Sequence, residues 1–187
     1  PEHLEKFYNK EFKSLNNKTL CYYSHASWLR IKEDHNIPHF NECEIEIDLL
    51  NEIKNSTYFK DKNLYICLHP KEKSSLSTLD KSYNYYKNIF GVNINFMGIT
   101  ENTYSSFNKI NMGFGAFSSI LFERIHCGYK TILFTKGLDS FPIKNSNFKY
   151  FTSNKINLFE DKIKIALATD CKKFFKNHNS FTYKILE

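Results

Sequence analysis

The most informative stretch of the sequence reads Gly113-Phe-Gly-Ala-Phe-Ser-Ser119-Ile-Leu-Phe-Glu123, and the apolar run Thr131-Ile-Leu-Phe134 follows it after Gly128. It predicts a glycine-bearing loop, a helix that begins at Ser119 and stops near Gly128, and then a buried strand. Ser118 and Ser119 stand where the helix begins, so their hydroxyls suit either a helix cap or a bound anion. The helix dipole and the backbone N–H groups of such a loop favour a phosphate there.

Within this stretch, Ser119 and Glu123 are four residues apart, so on a helix their Cβ atoms lie about 5–6 Å from each other. A hydroxyl in that position can meet a phosphate while the carboxylate, one turn further on, meets the diol of a ribose. Gly113 and Gly115 suit the loop, because glycine permits positive φ angles and a close backbone approach to an anion. The predicted phosphate site therefore comprises Gly113, Gly115, Ser118 and Ser119. An ordinary capped helix is the alternative reading.

Short apolar runs alternate with helical patterns along the rest of the chain. Besides the strand at 131–134, the predicted strands lie at 19–23, 63–68, 92–97, 110–112 and 148–151. The other predicted helices lie at 44–53, 79–90 and 157–176. Apolar strands that alternate with helices are typical of a parallel sheet covered on both faces. We therefore expect an α/β, Rossmann-like fold with a polar lead-in or linker at 1–18 and the domain at 19–187.

A second candidate site residue, His69, precedes Pro70 directly after the predicted strand at 63–68. Parallel α/β sheets bind ligands beyond the carboxyl ends of their strands, at the point where the strand order reverses. His69 and Ser119 both follow predicted strands, so we expect them in one crevice. An imidazole titrates near neutral pH, so His69 is also a candidate to protonate a departing phosphate.

A cluster of aromatic and basic residues follows the first predicted strand. Trp28, Tyr22 and Tyr23 lie near His25 and Arg30 in the sequence. Such a cluster suits the stacking of a base or the lining of a cleft, and it equally suits a core with a polar rim. The pattern leaves both interpretations open.

Composition limits the class of protein. The chain has 187 residues, 41% of them hydrophobic, which suffices for one domain with a sizeable core. Its mean hydropathy is −0.50, and no window approaches the ~20 apolar residues of a membrane helix. We interpret the net charge of +6 as attraction to phosphate or to an anionic membrane surface, not as a sign of nucleic-acid binding. The run Lys172-Lys-Phe-Phe-Lys176 adds peripheral membrane contact as an option.

The five cysteines are scattered and form no C-x-x-C pair, which favours buried, reduced thiols in a cytoplasmic protein. His35, His39 and Cys43 are residue types that bind metals, at a regular spacing. Pro38 breaks any helix that would align them, and no fourth ligand is near. We therefore expect no metal site.

Taken in order, the motifs resemble the C-terminal, nucleotide-sugar-binding half of GT-B glycosyltransferases. The closest likeness is to bacterial capsule and lipo-oligosaccharide enzymes, namely sialyltransferases, polysialyltransferases and polymerases that use CDP-glycerol. It covers roughly residues 19–175. The motifs that carry it are His69-Pro70, Ser118-Ser119, Glu123 and Gly128-Tyr-Lys130.

The resemblance implies a glycosyltransferase domain that acts in surface polysaccharide biosynthesis without a metal. It implies a CMP- or CDP-linked donor, with His69 and the two serines at the phosphate and Glu123 near the ribose. The partners would be a nucleotide sugar and a glycan acceptor. In sialyltransferases the acidic motif that activates the acceptor lies in the N-terminal half, and no stretch here matches it. We therefore expect that this chain is a piece of a longer protein, that the acceptor half is missing, and that the chain alone transfers no sugar.

Two alternatives stay open from the sequence. A UDP-sugar 2-epimerase also has a Ser-Ser helix start with a nearby glutamate, although it would need further acidic and histidine residues. A non-catalytic interaction domain that kept the fold without a full site is the other alternative. Neither the sugar nor the base of the donor follows from the residues.

Overall fold

The computed structural model describes residues 2–15, 18–33, 40–60, 62–136, 146–178 and 181–182. Six strands of this part form one sheet in which every neighbouring pair is parallel. They are β1 (Leu20–Tyr23), β2 (Leu64–Cys67), β3 (Asn95–Met97), β4 (Met112–Gly115), β5 (Thr131–Phe134) and β6 (Thr152–Ser153). The strand order is β3-β2-β1-β4-β5-β6, so the direction of winding reverses between β1 and β4.

Helices lie on both faces of this sheet. They are α1 (Ser27–Glu33), α2 (Phe40–Asn55), α3 (Leu76–Phe90), α4 (Ser119–His126), α5 (Ile156–Ala168) and α6 (Cys171–Phe175). Shorter 3₁₀ helices span Glu2–Phe7, Pro70–Lys73, Thr103–Ser106 and Ser146–Phe151. The α/β fold class is thus confirmed.

Side chains alternate between the two faces along the central strands, as the pleat requires. On one face, Tyr22 and Phe114 occupy paired positions, and their rings contact each other and Phe159 of α5 or Tyr86 of α3. On the other face, Gly113 lies under the side chain of Arg124 from α4. The core therefore consists of two apolar layers, one on each face of the sheet. Strands β1, β4 and β5 are buried at every position.

The glycines of the opening stretch lie in a strand, so the predicted loop over 113–115 was wrong. Gly113 and Gly115 belong to β4, and the Gly113 N–H donates to the carbonyl of Lys130 at 3.0 Å. Among the described glycines, positive φ angles occur at 91, 98 and 128 instead. A Cβ on Gly115 would lie 2.8 Å from the Tyr23 carbonyl oxygen, so close packing explains this glycine.

Two further predictions need correction near the C-terminus. The strand predicted at 148–151 is a 3₁₀ helix that buries Phe148 and Phe151, and the strand that pairs with β5 is only Thr152–Ser153. The helix predicted at 157–176 is two helices. Asp170 begins the second one, because its carboxylate accepts the backbone N–H groups of Lys172 and Lys173.

The last helix also changes the interpretation of its aromatic residues. Phe174 and Phe175 are each only 2% exposed, so neither ring is available for insertion into a membrane. The N-terminal lead-in packs onto the domain too, with Leu4 and Phe12 in the core and the Asn9 N–H bonded to the Cys127 carbonyl. In the ranges that the structure describes, we find no helix of the length and apolarity needed to cross a membrane.

Candidate functional site

A cleft of about 470 Å³ opens at the carboxyl edge of the sheet, where the strand order reverses. Parallel α/β sheets bind their ligands at this place, because the loops after neighbouring strands diverge there. The lining comes from the segments that follow the first four strands. These segments contribute, among others, Ser24 and His25 after β1, Leu68 and His69 after β2, Asn102 and Thr103 after β3, and Ser118 and Ser119 after β4.

Four of the residues predicted from sequence line this one cleft, namely His69, Ser118, Ser119 and Glu123. Gly113 and Gly115 do not line it, because both are buried within β4, before the loop that leads to α4. The structure therefore brings the His-Pro and Ser-Ser segments together. It assigns the two glycines to packing instead of to the cleft surface.

Three basic side chains converge on the β1 and β2 side of the cleft. The Arg30 guanidinium lies 2.8 Å from His25 Nε2 through Nη1, and 3.2 Å from His69 Nε2 through Nη2. Arg30 Nε is buried without a hydrogen-bond partner among the described residues. We call Arg30, His25 and His69 the basic cluster. Because its groups are cationic or polar and share one cavity, it suits an anionic ligand.

His69 is held neutral by its surroundings. Burial lowers the pKa of the imidazole to about 4, and the neighbouring positive charge of Arg30 acts in the same direction. His25, Lys71 and Lys73 add smaller effects of the same sign. At neutral pH His69 of the free protein is therefore uncharged, and the positive charge beside it is that of Arg30.

A buried carboxylate fixes the backbone of His69. Glu72 accepts the His69 N–H at 2.8 Å, and the His69 Nδ1 accepts the Lys71 N–H at 3.2 Å, which together form a capping box. The other Glu72 oxygen accepts Trp28 Nε1 and the Tyr86 hydroxyl, each at 2.7 Å. Burial raises the pKa of Glu72, and these hydrogen bonds oppose that effect.

A second buried carboxylate does the same for His25. Glu46 of α2 is fully buried and accepts the backbone N–H groups of His25 at 2.7 Å and Ser27 at 2.9 Å. It also accepts the Tyr22 hydroxyl. Each cleft histidine thus has its main chain anchored by a glutamate from below the cleft. These hydrogen bonds fix the backbone positions from which the two histidine side chains extend.

The opposite side of the cleft is the start of α4. Ser118 is the N-cap residue, and its side chain makes no capping hydrogen bond. Ser119 is the first helical residue and is exposed. The N–H groups of a first helical turn have no intrahelical partner, so they present partial positive charge. The helix start and the basic cluster therefore face the same cavity from two sides.

Glu123 lines the cleft one turn into α4, beside Tyr104. Burial raises the pKa of the Tyr104 hydroxyl, and the negative charge of Glu123 raises it further. Asn102 and Thr103 complete this side of the lining. The cleft thus has a basic end at Arg30 and a neutral-to-acidic end at Glu123, a distribution that suits a ligand with an anionic and a hydroxyl-rich part.

Sequence reasoning missed the two glutamates that anchor the histidines. For Glu72 only part of a signal was present. A glutamate three residues after the N-cap residue matches the spacing of a capping box, but that motif has Ser, Thr, Asp or Asn at the N-cap and not His. For Glu46 no local signal exists, since its partners lie about twenty residues earlier in a different element. Arg30 and His25 were noted only as neighbours of an aromatic cluster.

Of the three residues considered as metal ligands in the sequence, the structure describes Cys43. In the described ranges, no group of three or more His, Cys, Asp or Glu side chains is placed to hold a metal ion. His35 and His39 lie outside the described residues. Cys43 is buried in α2, and burial raises the pKa of its thiol.

The low pKa of His69 predicts a pH effect on stability. An unfolded histidine has a pKa near 6.5, against about 4 in the fold, so the unfolded state binds more protons between these values. The free energy of unfolding therefore falls as the pH drops from about 6.5 to about 4. His69→Asn should remove this contribution, as urea titrations in chloride buffers across that range would show. Parallel pH profiles for the two proteins would contradict the prediction.

No protein-family model matches the chain, and a search of curated proteins returns no match. The functional proposal therefore rests on the position, the charge and the hydrogen bonding of the cleft residues.

Proposed function

We propose that the chain is the donor-binding domain of a GT-B glycosyltransferase that acts in bacterial surface polysaccharide biosynthesis. In this proposal the cleft holds the phosphate of a nucleotide sugar, with a CMP- or CDP-linked donor as the first expectation. The observation that carries it is the convergence of Arg30, His69 and the start of α4 on one cavity at the switch point of a parallel sheet. Each of the three favours an anion.

The chemistry of glycosyl transfer explains why these groups would be useful. When the bond between sugar and phosphate breaks, negative charge grows on the departing nucleotide. Groups that already point at that charge stabilise it without reorganising during the reaction. In the proposal Arg30 supplies the positive charge, His69 and Ser119 supply hydrogen bonds, and Glu123 meets the ribose. The polar end of the cleft at Asn102 and Thr103 is left for the rest of the nucleoside.

The acceptor half and its base are not assigned to any residue here. GT-B catalysis takes place between two domains, so the proposal expects that this chain binds donor but does not transfer sugar alone. We propose in addition that the protein is cytoplasmic and lies at the periphery of the inner membrane. Lys172 and Lys173 on α6 are exposed and suit an electrostatic contact with anionic headgroups.

A thermal-shift screen with CMP, CDP, UDP and GDP compounds tests the proposal. A ligand at 100 times its dissociation constant adds about 2.7 kcal/mol to the free energy of unfolding, which is readily detected. A cytidine preference would support a CMP- or CDP-linked donor, and a uridine preference would favour an epimerase-like domain. Absence of any nucleotide binding would contradict the proposal and favour a non-catalytic interaction domain.

Ser119→Ala should weaken nucleotide binding at little cost in stability. A hydrogen bond to a charged oxygen contributes roughly 1.5–3 kcal/mol, so we expect an affinity loss of at least about tenfold by calorimetric titration. Because Ser118 and not Ser119 is the N-cap residue, the melting temperature should barely change. Ser77→Ala, on the exposed start of α3 away from the cleft, is the matched control. Unchanged affinity in Ser119→Ala would remove Ser119 from the site.

A further inference from the structure

We propose that His69 binds the donor phosphate as a neutral imidazole that donates its Nε2–H, and that it does not act as the proton donor to the departing group. Arg30 then carries the charge that meets the phosphate. This inference rests on the proposed function, because it assigns roles within the same cleft. It follows from the hydrogen bonds on the two sides of one imidazole ring.

The first step concerns Nδ1 of His69. It lies 3.2 Å from the backbone nitrogen of Lys71, whose N–H can only donate, so Nδ1 accepts. A neutral imidazole has one protonated nitrogen, and here that nitrogen is therefore Nε2. The capping box that holds the start of the 3₁₀ helix Pro70–Lys73 thus selects the tautomer.

The second step concerns Nε2. It lies 3.2 Å from Nη2 of Arg30, and a guanidinium N–H also only donates. With a proton on Nε2, two donors face each other across this gap and cannot bond to one another. Moving the proton to Nδ1 would satisfy Arg30 but would set two donors against each other at Lys71. Neither neutral tautomer satisfies both contacts.

A phosphate oxygen resolves this conflict. Placed beside Arg30 and His69, it accepts from Nη2 and from Nε2–H at once, and the Lys71 N–H keeps its acceptor. A doubly protonated imidazole would instead place a proton on Nδ1 against the Lys71 N–H. The geometry therefore favours a bound anion beside a neutral His69 whose Nδ1 carries no proton.

The charges around His69 act in the same direction. Arg30 from α1, His25 from the segment after β1, and Lys71 and Lys73 from the 3₁₀ helix all oppose an additional positive charge on the ring. Glu72 is the buried carboxylate next to it, and it is engaged by the His69 backbone N–H, Trp28 and Tyr86. Glu123 lines the cleft on the α4 side. Burial and these cations together keep the free imidazole neutral, with a pKa of about 4.

The test uses anions whose own charge is constant near neutral pH. Sulfate and CDP-glycerol qualify, because neither has the phosphate ionisation near pH 6 that a monoester has. The full chain is titrated with each by calorimetry from about pH 5.5 to about pH 8, in buffers of different ionisation enthalpy. We expect the wild-type protein to take up at most about 0.2 proton per anion more than His69→Gln does, since any uptake by His25 is common to both. The affinities of the two proteins should accordingly change with pH in parallel, within about twofold. If His69 became charged on binding, affinity would instead rise by up to about tenfold per pH unit lowered.

Two substitutions of His69 separate the roles of its nitrogens. His69→Gln places an amide N–H near the position of Nε2, and His69→Asn retains only an acceptor near Nδ1 for Lys71. We expect His69→Gln to stay within about threefold of the wild-type affinity, and His69→Asn and Arg30→Gln to lose at least about tenfold. His126→Gln, at the far end of α4 and outside the cleft lining, is the matched control.

The outcomes distinguish this inference from the proposed function. Binding of CDP-glycerol with proton uptake that His69→Gln abolishes, or equal loss in His69→Gln and His69→Asn, overturns the neutral-donor role while the nucleotide function stands. Proton-free binding of sulfate without any binding of CDP-glycerol or the other nucleotides supports the role of His69 and overturns the proposed function. Failure of both anions to bind overturns both.

Discussion

Gly113→Ala is expected to lower the free energy of unfolding by about 2–3 kcal/mol, in the upper range for overpacking a core. The added Cβ would lie 2.6 Å from Arg124 Nε and 2.7 Å from its Cδ, with Tyr23 Cε2 at 3.0 Å. Arg124 cannot move aside easily, because it is fully buried and its guanidinium donates to the Phe107 and Ile110 carbonyls at 3.1 and 2.5 Å.

A double-mutant cycle measured by urea unfolding isolates this clash. In an Arg124→Met background the penalty of Gly113→Ala should fall below about 1 kcal/mol, since the clashing atoms of a shorter, flexible side chain can shift. Gly115→Ala is the matched control. Its Cβ meets the Tyr23 carbonyl oxygen at 2.8 Å, so Arg124→Met should not rescue it. Equal rescue of both glycine variants would show that the Arg124 contact is not the cause.

Removal of the Glu72 carboxylate is the second large effect that we expect. Glu72→Ala leaves three donors without their acceptor, namely Trp28 Nε1, the Tyr86 hydroxyl and the His69 N–H. Each unsatisfied buried group costs about 1–3 kcal/mol, and the costs are not fully additive, so we expect a loss of about 3–5 kcal/mol. Chemical denaturation gives the value directly. Glu44→Ala, on the exposed face of α2, is the control and should change little.

The milder variant Glu72→Gln tests whether this hydrogen-bond network also supports anion binding in the cleft. The amide oxygen can still accept from Trp28 and Tyr86, but the amide nitrogen then faces the His69 N–H, so the capping box opens. We expect a stability loss of about 1–2 kcal/mol together with weaker anion binding, because His69 is no longer held at the cleft edge. Wild-type anion affinity in a folded Glu72→Gln protein would show that this carboxylate serves stability alone.

The sequence predicted the parts of the fold that depend on neighbouring residues. The apolar runs at 63–68 and 131–134 became β2 and β5, and the helix that was expected to begin at Ser119 does begin there. His69 was predicted for the same kind of reason, since a His-Pro pair directly after a strand indicates a loop at the sheet edge.

Features that depend on distant residues could not be predicted in this way. Two glycines in three residues indicate a loop, yet Gly113 lies in β4. Its lack of a side chain is explained by Arg124, eleven residues later, whose side chain occupies the space above it. The basic cluster likewise joins Arg30 from α1 to His69 after β2, through a contact that no spacing in the sequence reveals. Local sequence patterns thus predicted the strands and the residues at the sheet edge. The packing partners of those residues became visible only in the folded structure.

The most direct measurement is an NMR titration of the full chain with CDP-glycerol, in which backbone N–H groups and histidine rings are observed together. A phosphate bound as we propose should shift the N–H signals of Ser119 and Ile120 and the Nε2–H signal of His69 most strongly, and His69→Asn identifies that ring signal. The shifts should saturate with one common affinity, and the His69 ring should keep its neutral pattern. Saturable shifts centred away from the cleft, with these three signals unchanged, would contradict the assignment of the donor site to this edge of the sheet.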